Sequence, residues 1–271
     1  AYLFVYLGSW RATFITIGVL GLLWLIPWLI IYKSGPDKHP WVSESEREYI
    51  LTGQRNTETN EVASYAPGAG EILSRKESWG VILASFFLDP IWWLFVGWLP
   101  LYLAETYGFG VKEIGLYAWV PYVGAMFGAW FGGLLAQNRI SAGWTVNKVR
   151  KFVIGLGGVI MLVSLLLTMK AATPTIAVLL MAAILFGFQT AVGNIQTLPS
   201  DFYSGESVGS LAGFAGTAAK LAVVGLNFLI PVITVNSYAP AFAVGAALAI
   251  LTVLSVWVLC GRIQPLSPRS A

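Results

Sequence analysis

Seven stretches of this sequence run apolar for about twenty residues each, and that repetition limits the possible folds more than any other feature. They are Ala12–Tyr32, Trp79–Leu103, Ile114–Ala136, Phe152–Met169, Thr175–Leu198, Val208–Val235 and Ala241–Gly261. A bilayer core of about 30 Å calls for roughly 20 mostly apolar residues in helical form, because lipid offers no partner to exposed backbone amides. The formal charges inside these stretches are Asp89 in the second and Lys220 in the sixth. Charged residues make up 11% of the chain and apolar and aromatic ones 57%, against about 25% charged in soluble domains. Soluble helices that are apolar all round do not come seven in succession with short connections. The expected fold class is an all-α membrane protein with about seven transmembrane helices, its main partner being the lipid bilayer.

Several function classes are excluded by what is scarce. The net charge of +3 needs no nucleic acid, since basic residues gather on the cytoplasmic side of membrane proteins and no basic patch interleaved with aromatics lies outside the spans. One cysteine, Cys260, and one histidine, His39, rule out a disulfide framework and any Cys/His metal or haem cluster. No metal and no cofactor is expected. A membrane-embedded enzyme would need paired acids with metal ligands, a Ser/Lys dyad or a His-rich face. His39 in a loop and two isolated in-membrane charges argue against it, so the chain is not expected to be an enzyme.

Charge also orients the chain. Lys33, Lys38, Arg47, Arg55, Arg75 and Lys76 fall between the first two spans, Arg139, Lys148, Arg150 and Lys151 between the third and fourth, and Arg262 and Arg269 after the last. Arg11, Lys112 and Lys170 alone fall on the other side. The positive-inside bias places the long loop and the C-terminus in the cytoplasm and Ala1 outside it. Within the loop, Ser43-Glu44-Ser45-Glu46 has the spacing of a capping box, predicting a surface helix over about Ser43–Thr52 that covers the cytoplasmic mouths of the helices. The opening Ala-Tyr-Leu-Phe-Val-Tyr-Leu has no basic region or cleavage site of a signal peptide and is expected to be the end of an earlier span. The chain then is a piece of a longer protein, and an inactive truncated gene product is one alternative.

Polar residues inside spans mark the candidate site. An intramembrane carboxylate costs roughly 2.5–3.5 kcal/mol on insertion scales and should face a cavity or a partner. At helical spacing Asp89, Trp92 and Trp93 share a face, and Pro90 removes a helical hydrogen bond and should kink the helix, freeing the Phe86 carbonyl. Asp89 is a proton, substrate or ion-pair candidate, and Trp92 and Trp93 are candidates for an apolar platform or for packing. Lys220 sits on a small, polar stripe with Gly213, Gly216, Thr217 and Asn227. Its ammonium wants either a substrate carboxylate or Asp89, the one acid inside the spans. In the fifth span Gln189, Gly193 and Gln196 share a stripe, with Asn194 about 140° around from Gln189. The candidate substrate-binding set is Lys220, Trp92, Trp93, Gln189, Asn194, Thr217 and Asn227. Gly124, Gly128 and Gly132, and likewise Gly209 and Gly213, form small-x-x-x-small patterns suited to close helix packing.

These strings, in order, resemble a known family. Trp10-Arg11, then a span, then Pro36-Asp37-Lys38-His39-Pro40 and Ser43-Glu44-Ser45-Glu46-Arg47-Glu48-Tyr49-Ile50 is similar to the middle of major facilitator superfamily transporters of the anion:cation symporter family. The likeness is greatest to hexuronate and other sugar-acid (galacturonate, glucuronate, galactonate) transporters. It continues through Asp89-Pro90-Ile91-Trp92-Trp93, Trp98-Leu99-Pro100-Leu101-Tyr102-Leu103 and Gly143-Trp144-Thr145-Val146-Asn147-Lys148. Thr197-Leu198-Pro199-Ser200-Asp201 and Val208-Gly209-Ser210-Leu211-Ala212-Gly213 complete it. The resemblance implies a twelve-helix fold in two six-helix halves, working by alternating access with the substrate between them. On that scheme residues 1–32 are the end of the N-terminal half, 33–78 the cytoplasmic loop between halves, 79–263 the six-helix C-terminal half and 264–271 a cytoplasmic tail. The seven spans would be helices six to twelve, and the rest of the N-terminal half a missing partner. The function implied is proton-coupled symport of a hexuronate, aldonate or aldarate across the bacterial inner membrane. In relatives a polar side chain near the position of Lys220 contacts the sugar acid.

Overall fold

Some prolines break the spanning helices and others lie within continuous ones. A computed structural model describes residues 2–32, 35, 39–58 and 65–268; Ala1, Lys33, Pro36, Asp37, Lys38 and Arg269, which figured in the readings of loop, charge and motif, lie outside the described residues. The chain forms two units, Ala1–Ser64 and Tyr65–Ala271. Among the described residues there are seven helical stretches long and apolar enough to cross a membrane, and they coincide with the seven predicted from the sequence.

The first unit contains α1 (Tyr2–Leu7), α2 (Trp10–Leu23), α3 (Leu25–Ile31) and α4 (Glu44–Glu58). Ser9 caps α2, its hydroxyl accepting the Ala12 amide at 3.4 Å. The spanning stretch breaks at Trp24 because Pro27 has no amide to give the Leu23 carbonyl. None of its residues is buried, and Phe14, Ile15, Leu20 and Leu29, which point in different directions around the axis, are all exposed. α4 begins where the capping pattern put it, with the Glu46 amide donating to the Ser43 hydroxyl at 3.3 Å, and it runs longer than the predicted surface helix.

The second unit holds α5 (Ala69–Ser74), α6 (Lys76–Tyr107), α7 (Val111–Tyr117), α8 (Val120–Ser141), α9 (Val146–Thr168), α10 (Pro174–Gln196), α11 (Leu198–Phe202), α12 (Glu206–Ile233) and α13 (Ala239–Leu254), ending in a π-helical turn at Ser255–Leu259. α7 stops at Tyr117, whose carbonyl Pro121 cannot reach, and α10 gives way to α11 around Pro199 for the same reason. By contrast α6 runs unbroken through Pro90 and Pro100, and α12 through Pro231. Gly108 closes α6 with a left-handed φ of +70°, its amide on the Ala104 carbonyl.

Lipid tails are as apolar as leucine, so helices in a bilayer associate through close packing and interhelical hydrogen bonds instead of hydrophobic burial alone. The glycine stripe of α8 achieves the closest approach: a Cβ at Gly124, Gly128 or Gly132 would stand 2.2, 2.2 and 2.7 Å from the carbonyl oxygens of Ala182, Phe186 and Thr190 on α10. α9 meets α10 in the same way through Gly157 and Gly187. The core fills with Leu88, Ile91 and Phe95 of α6, Met161 and Leu165 of α9, and Met181, Ile184 and Leu185 of α10. The other predicted stripe behaves differently, for nothing lies within 4 Å of a Cβ at Gly209 or Gly213 on α12.

At the end where α6, α9 and α12 begin, flanking chain ties the helix ends together. Ser207 donates to the Pro67 carbonyl at 2.6 Å, the Ile263 amide to Asn147 Oδ1 at 3.0 Å and the Leu266 amide to the Phe202 carbonyl at 3.0 Å. Arg75, 9% exposed, donates to the Ser267 carbonyl at 2.7 Å and to the Tyr65 hydroxyl at 2.8 Å. Burial is the main influence pushing the Tyr65 hydroxyl above the usual tyrosine range, reinforced by its hydrogen bond to Glu71.

Candidate functional site

The two charges inside the spans meet. Asp89 is the fourteenth of the 32 residues of α6, and Lys220 the fifteenth of the 28 of α12, so both stand near the middle of their helices. Lys220 Nζ donates to Asp89 Oδ2 at 2.5 Å, and the same ammonium lies 5.3 Å from the centre of the Trp93 ring, within cation–π range. Their side chains are 60% and 24% exposed, lysine and aspartate respectively. They border a cavity of about 390 Å³ between α6, α10 and α12, whose wall also includes Ser85, Gln196 and Gly216. On α12 a Cβ at Gly213 or Gly216 would meet nothing within 4 Å and Thr217 is exposed, which leaves room beside the lysine. Such an arrangement can bind an anion, because an ammonium has three donors and Asp89 engages one of them.

The other predicted site residues divide among three places. Trp92, next to Trp93, turns into the core and packs on Tyr122 and Phe188 with ring centres 5.8 and 5.4 Å away. Thr217 donates to the Gly213 carbonyl of its own helix, and Asn227 donates to the Val223 carbonyl while accepting from Trp98 Nε1 at 3.3 Å. Asn227 is thus tied to α6, two helical turns beyond Lys220. Gln189 and Asn194 line a separate cavity of about 600 Å³ beside α8, which shares only Val192 and Gln196 with the first.

Asn194 belongs to a polar network that sequence reasoning missed. Arg150, in the second turn of α9, forks onto Asp201 of α11 at 2.8 and 3.4 Å and reaches Asn194 Oδ1 at 3.0 Å. Asn194, 3% exposed, donates to the Thr190 carbonyl, and the Thr190 hydroxyl donates to the Phe186 and Gly128 carbonyls. Four helices are joined by this chain of bonds. A bidentate guanidinium–carboxylate pair with both side chains 15% exposed is the stronger, less screened kind. A signal existed in the sequence: a cation in the first turns of a helix opposes the positive end of the helix dipole and calls for an acid. Nothing in the sequence said which acid.

At the opposite end, a cavity of about 410 Å³ is bordered by Tyr102, Glu105 and Tyr238, with Tyr238 donating to Glu105 at 2.7 Å. Burial, and then this bond to a carboxylate, pushes the Tyr238 hydroxyl above the usual tyrosine range. Among the described residues no group of three His, Cys, Asp or Glu side chains is placed to hold a metal. Cys260 is buried against Gly80, its thiol 3.8 Å from the Glu77 carbonyl.

Comparison with known proteins gives a consistent result. The sequence model of the Major Facilitator Superfamily matches residues 1–225. A hexuronate transporter of Escherichia coli K12 is 32% identical over 259 residues, which is 94% of this chain and 59% of that protein. A galacturonate transporter of Dickeya chrysanthemi is 37% identical over 159 residues, 57% of this chain and 44% of that protein. A probable galactarate/D-glucarate transporter of Bacillus subtilis 168 is 26% identical over 266 residues, 94% of this chain and 57% of that protein. The chain spans less than two thirds of the length of these relatives.

Proposed function

The chain belongs to the major facilitator superfamily, and from that membership we propose that it forms the helix-six-to-twelve part of a transporter that carries a small carboxylated sugar across a membrane together with protons. The family is one of transporters, not enzymes. The observation that carries the reading is the Asp89–Lys220 pair, held at the middle of two spanning helices on the wall of a cavity large enough for a six-carbon sugar acid. Charged groups at that depth are retained where they serve a substrate or ion path. In this reading Lys220 holds the substrate carboxylate, Trp93 offers an apolar ring face, and Ser85 and Gln196 meet hydroxyl groups.

Residues 1–32 then end the N-terminal half, 33–78 join the halves, and 79–263 form the six-helix C-terminal half, with further helices supplied by the longer protein. Support comes from the lengths of the relatives, all of which extend well beyond the matched region. The basic residues at the ends of α8 and α9 support a cytoplasmic location for that side and for the C-terminus, in a bacterial inner membrane. Gln189 and Asn194 line the second cavity, and Asn194, bonded to Arg150, fits a role in joining α10 to α9.

Uptake of labelled galacturonate, glucuronate and galactonate into proteoliposomes holding the full-length protein, with and without an inward proton gradient, tests the proposal. Uptake of at least one of these, accelerated by the gradient and reduced tenfold or more by Lys220→Ala with the fold retained, is the expected result. Absence of uptake of all three, or a Lys220→Ala variant of unchanged affinity, would overturn it.

A further inference from the structure

The turn between α8 and α9 gathers cations. From Ile114 to Ser200 the sequence has no Asp or Glu, while Arg139 closes α8 and Lys148, Arg150 and Lys151 open α9. Arg150 is matched by Asp201 of α11. Arg139 and Lys148 are held in another way. The chain folds back at Gly143, whose φ of +85° suits glycine, and the Trp144 amide donates to the Arg139 carbonyl at 3.0 Å. The Trp144 ring packs on Phe152 with 5.6 Å between centres. Both cations stand over that ring, Lys148 Nζ at 4.1 Å and the Arg139 guanidinium at 5.1 Å from its centre. Neither side chain makes a hydrogen bond or an ion pair among the described residues. Two like charges fixed on one ring repel each other, and an anion that bridges them relieves the repulsion.

Lys148 also heads an apolar stripe. It lies one helical turn before Phe152, and Phe152, Val159, Val163 and Leu166, all exposed, recur along the same side of α9. The opposite side of α9 is buried, with Gly157 packed on Gly187 of α10 and with Ile154, Met161 and Leu165 in the core. The stripe therefore faces away from α10. α9 contributes no residue to the cavity between α6, α10 and α12, the wall that the helices beyond this sequence meet in the proposed function.

Resting on that placement, we propose that Arg139, Trp144 and Lys148 form a site for an anionic phospholipid of the surrounding bilayer, its phosphate between the two cations and an acyl chain along the stripe of α9. Basic side chains at a membrane surface attract anionic lipids, and tryptophan favours the level of the headgroups. A zwitterionic headgroup brings a positive group of its own to a place already holding two. A free phosphate satisfies the cations and leaves the stripe uncovered. The lipid fits both features because they join at Lys148 and Phe152.

The test is native mass spectrometry of the full-length protein in mild detergent, with added dioleoyl phosphatidylglycerol or dioleoyl phosphatidylcholine, read as the fraction carrying a bound lipid. Phosphatidylglycerol should bind about tenfold more tightly than phosphatidylcholine, and Lys148→Gln or Arg139→Gln should each weaken it about fivefold, the effect of one basic side chain near an anionic headgroup. Lys148→Arg, which keeps the charge, should retain the preference, and Lys112→Gln, at the other end of the helices, should leave it unchanged. Equal binding of the two lipids, unchanged binding in the Arg139→Gln, Lys148→Gln double variant, or displacement of phosphatidylglycerol by inorganic phosphate would overturn the inference. So would a loss of thermal stability in the glutamine variants without any added lipid, since it would assign the cations to acids elsewhere in the longer protein. No sugar acid is present in this assay, so failure here leaves the transport reading standing, and absence of uptake leaves the lipid site standing.

Discussion

Gly128 on α8 and Gly213 on α12 occupy like positions in small-x-x-x-small stripes, yet their surroundings are opposite. A Cβ at Gly128 would stand 2.2 Å from the Phe186 carbonyl oxygen, whereas one at Gly213 meets nothing within 4 Å. The ion pairs on the same two sides of the Tyr65–Ala271 unit differ in the same sense. Arg150 and Asp201 are each 15% exposed and are braced by Asn194, while Lys220 and Asp89 are 60% and 24% exposed and border open space. The α8–α10 side is closely packed, and the face of α12 that carries Gly213 and Lys220 is open. An identical residue pattern fits either setting, depending on which way its face is turned.

This contrast can be broken, and the largest effect should come from its tight side. Arg150→Ala leaves the part-buried Asp201 without its cation and removes a bond from Asn194, so a loss of about 2–4 kcal/mol, somewhat under that for a fully buried pair, is expected, measured by thermal unfolding in detergent. A loss below about 1 kcal/mol would show that the α8–α10 side does not depend on this pair. Gly128→Ala should cost about 1–3 kcal/mol, because the methyl group meets backbone that cannot yield without separating α8 from α10. Lys220→Gln should lower anion affinity at least tenfold in equilibrium binding, because the carboxylate loses its cation. Gly213→Ala is the smallest change: with open space at that Cβ, stability should stay level or rise by up to about 1 kcal/mol from helix propensity. A destabilisation comparable with that of Gly128→Ala would show that the α12 stripe is a packed contact after all.

The candidate site was partly legible before folding was considered. Asp89 and Lys220 are conspicuous in the sequence as the charges inside apolar spans, and each is a possible partner for the other. Trp92 and Trp93 looked alike in sequence, being adjacent, and only the structure sends Trp92 to Tyr122 and Phe188 and keeps Trp93 at the lysine. Arg150 read as one of several loop charges and Asn194 as a cavity residue. Their bond joins positions far apart in the chain, and no local pattern announces such a meeting. Prolines carried information of mixed quality: Pro27, Pro121 and Pro199 mark breaks, yet Pro90 and Pro100 sit within one continuous helix.

The sequence by itself determined the seven spans, their approximate limits and the two charges within them. It could do so because a bilayer imposes its demand on each helix separately: enough apolar length, and no unpaired backbone. The tertiary structure alone decided which glycine stripe is a contact and which an opening, and which polar residues share a cavity. Those outcomes depend on how each helix is rotated about its axis against its neighbours. The 3.6-residue period says which residues share a face and leaves open what that face will meet.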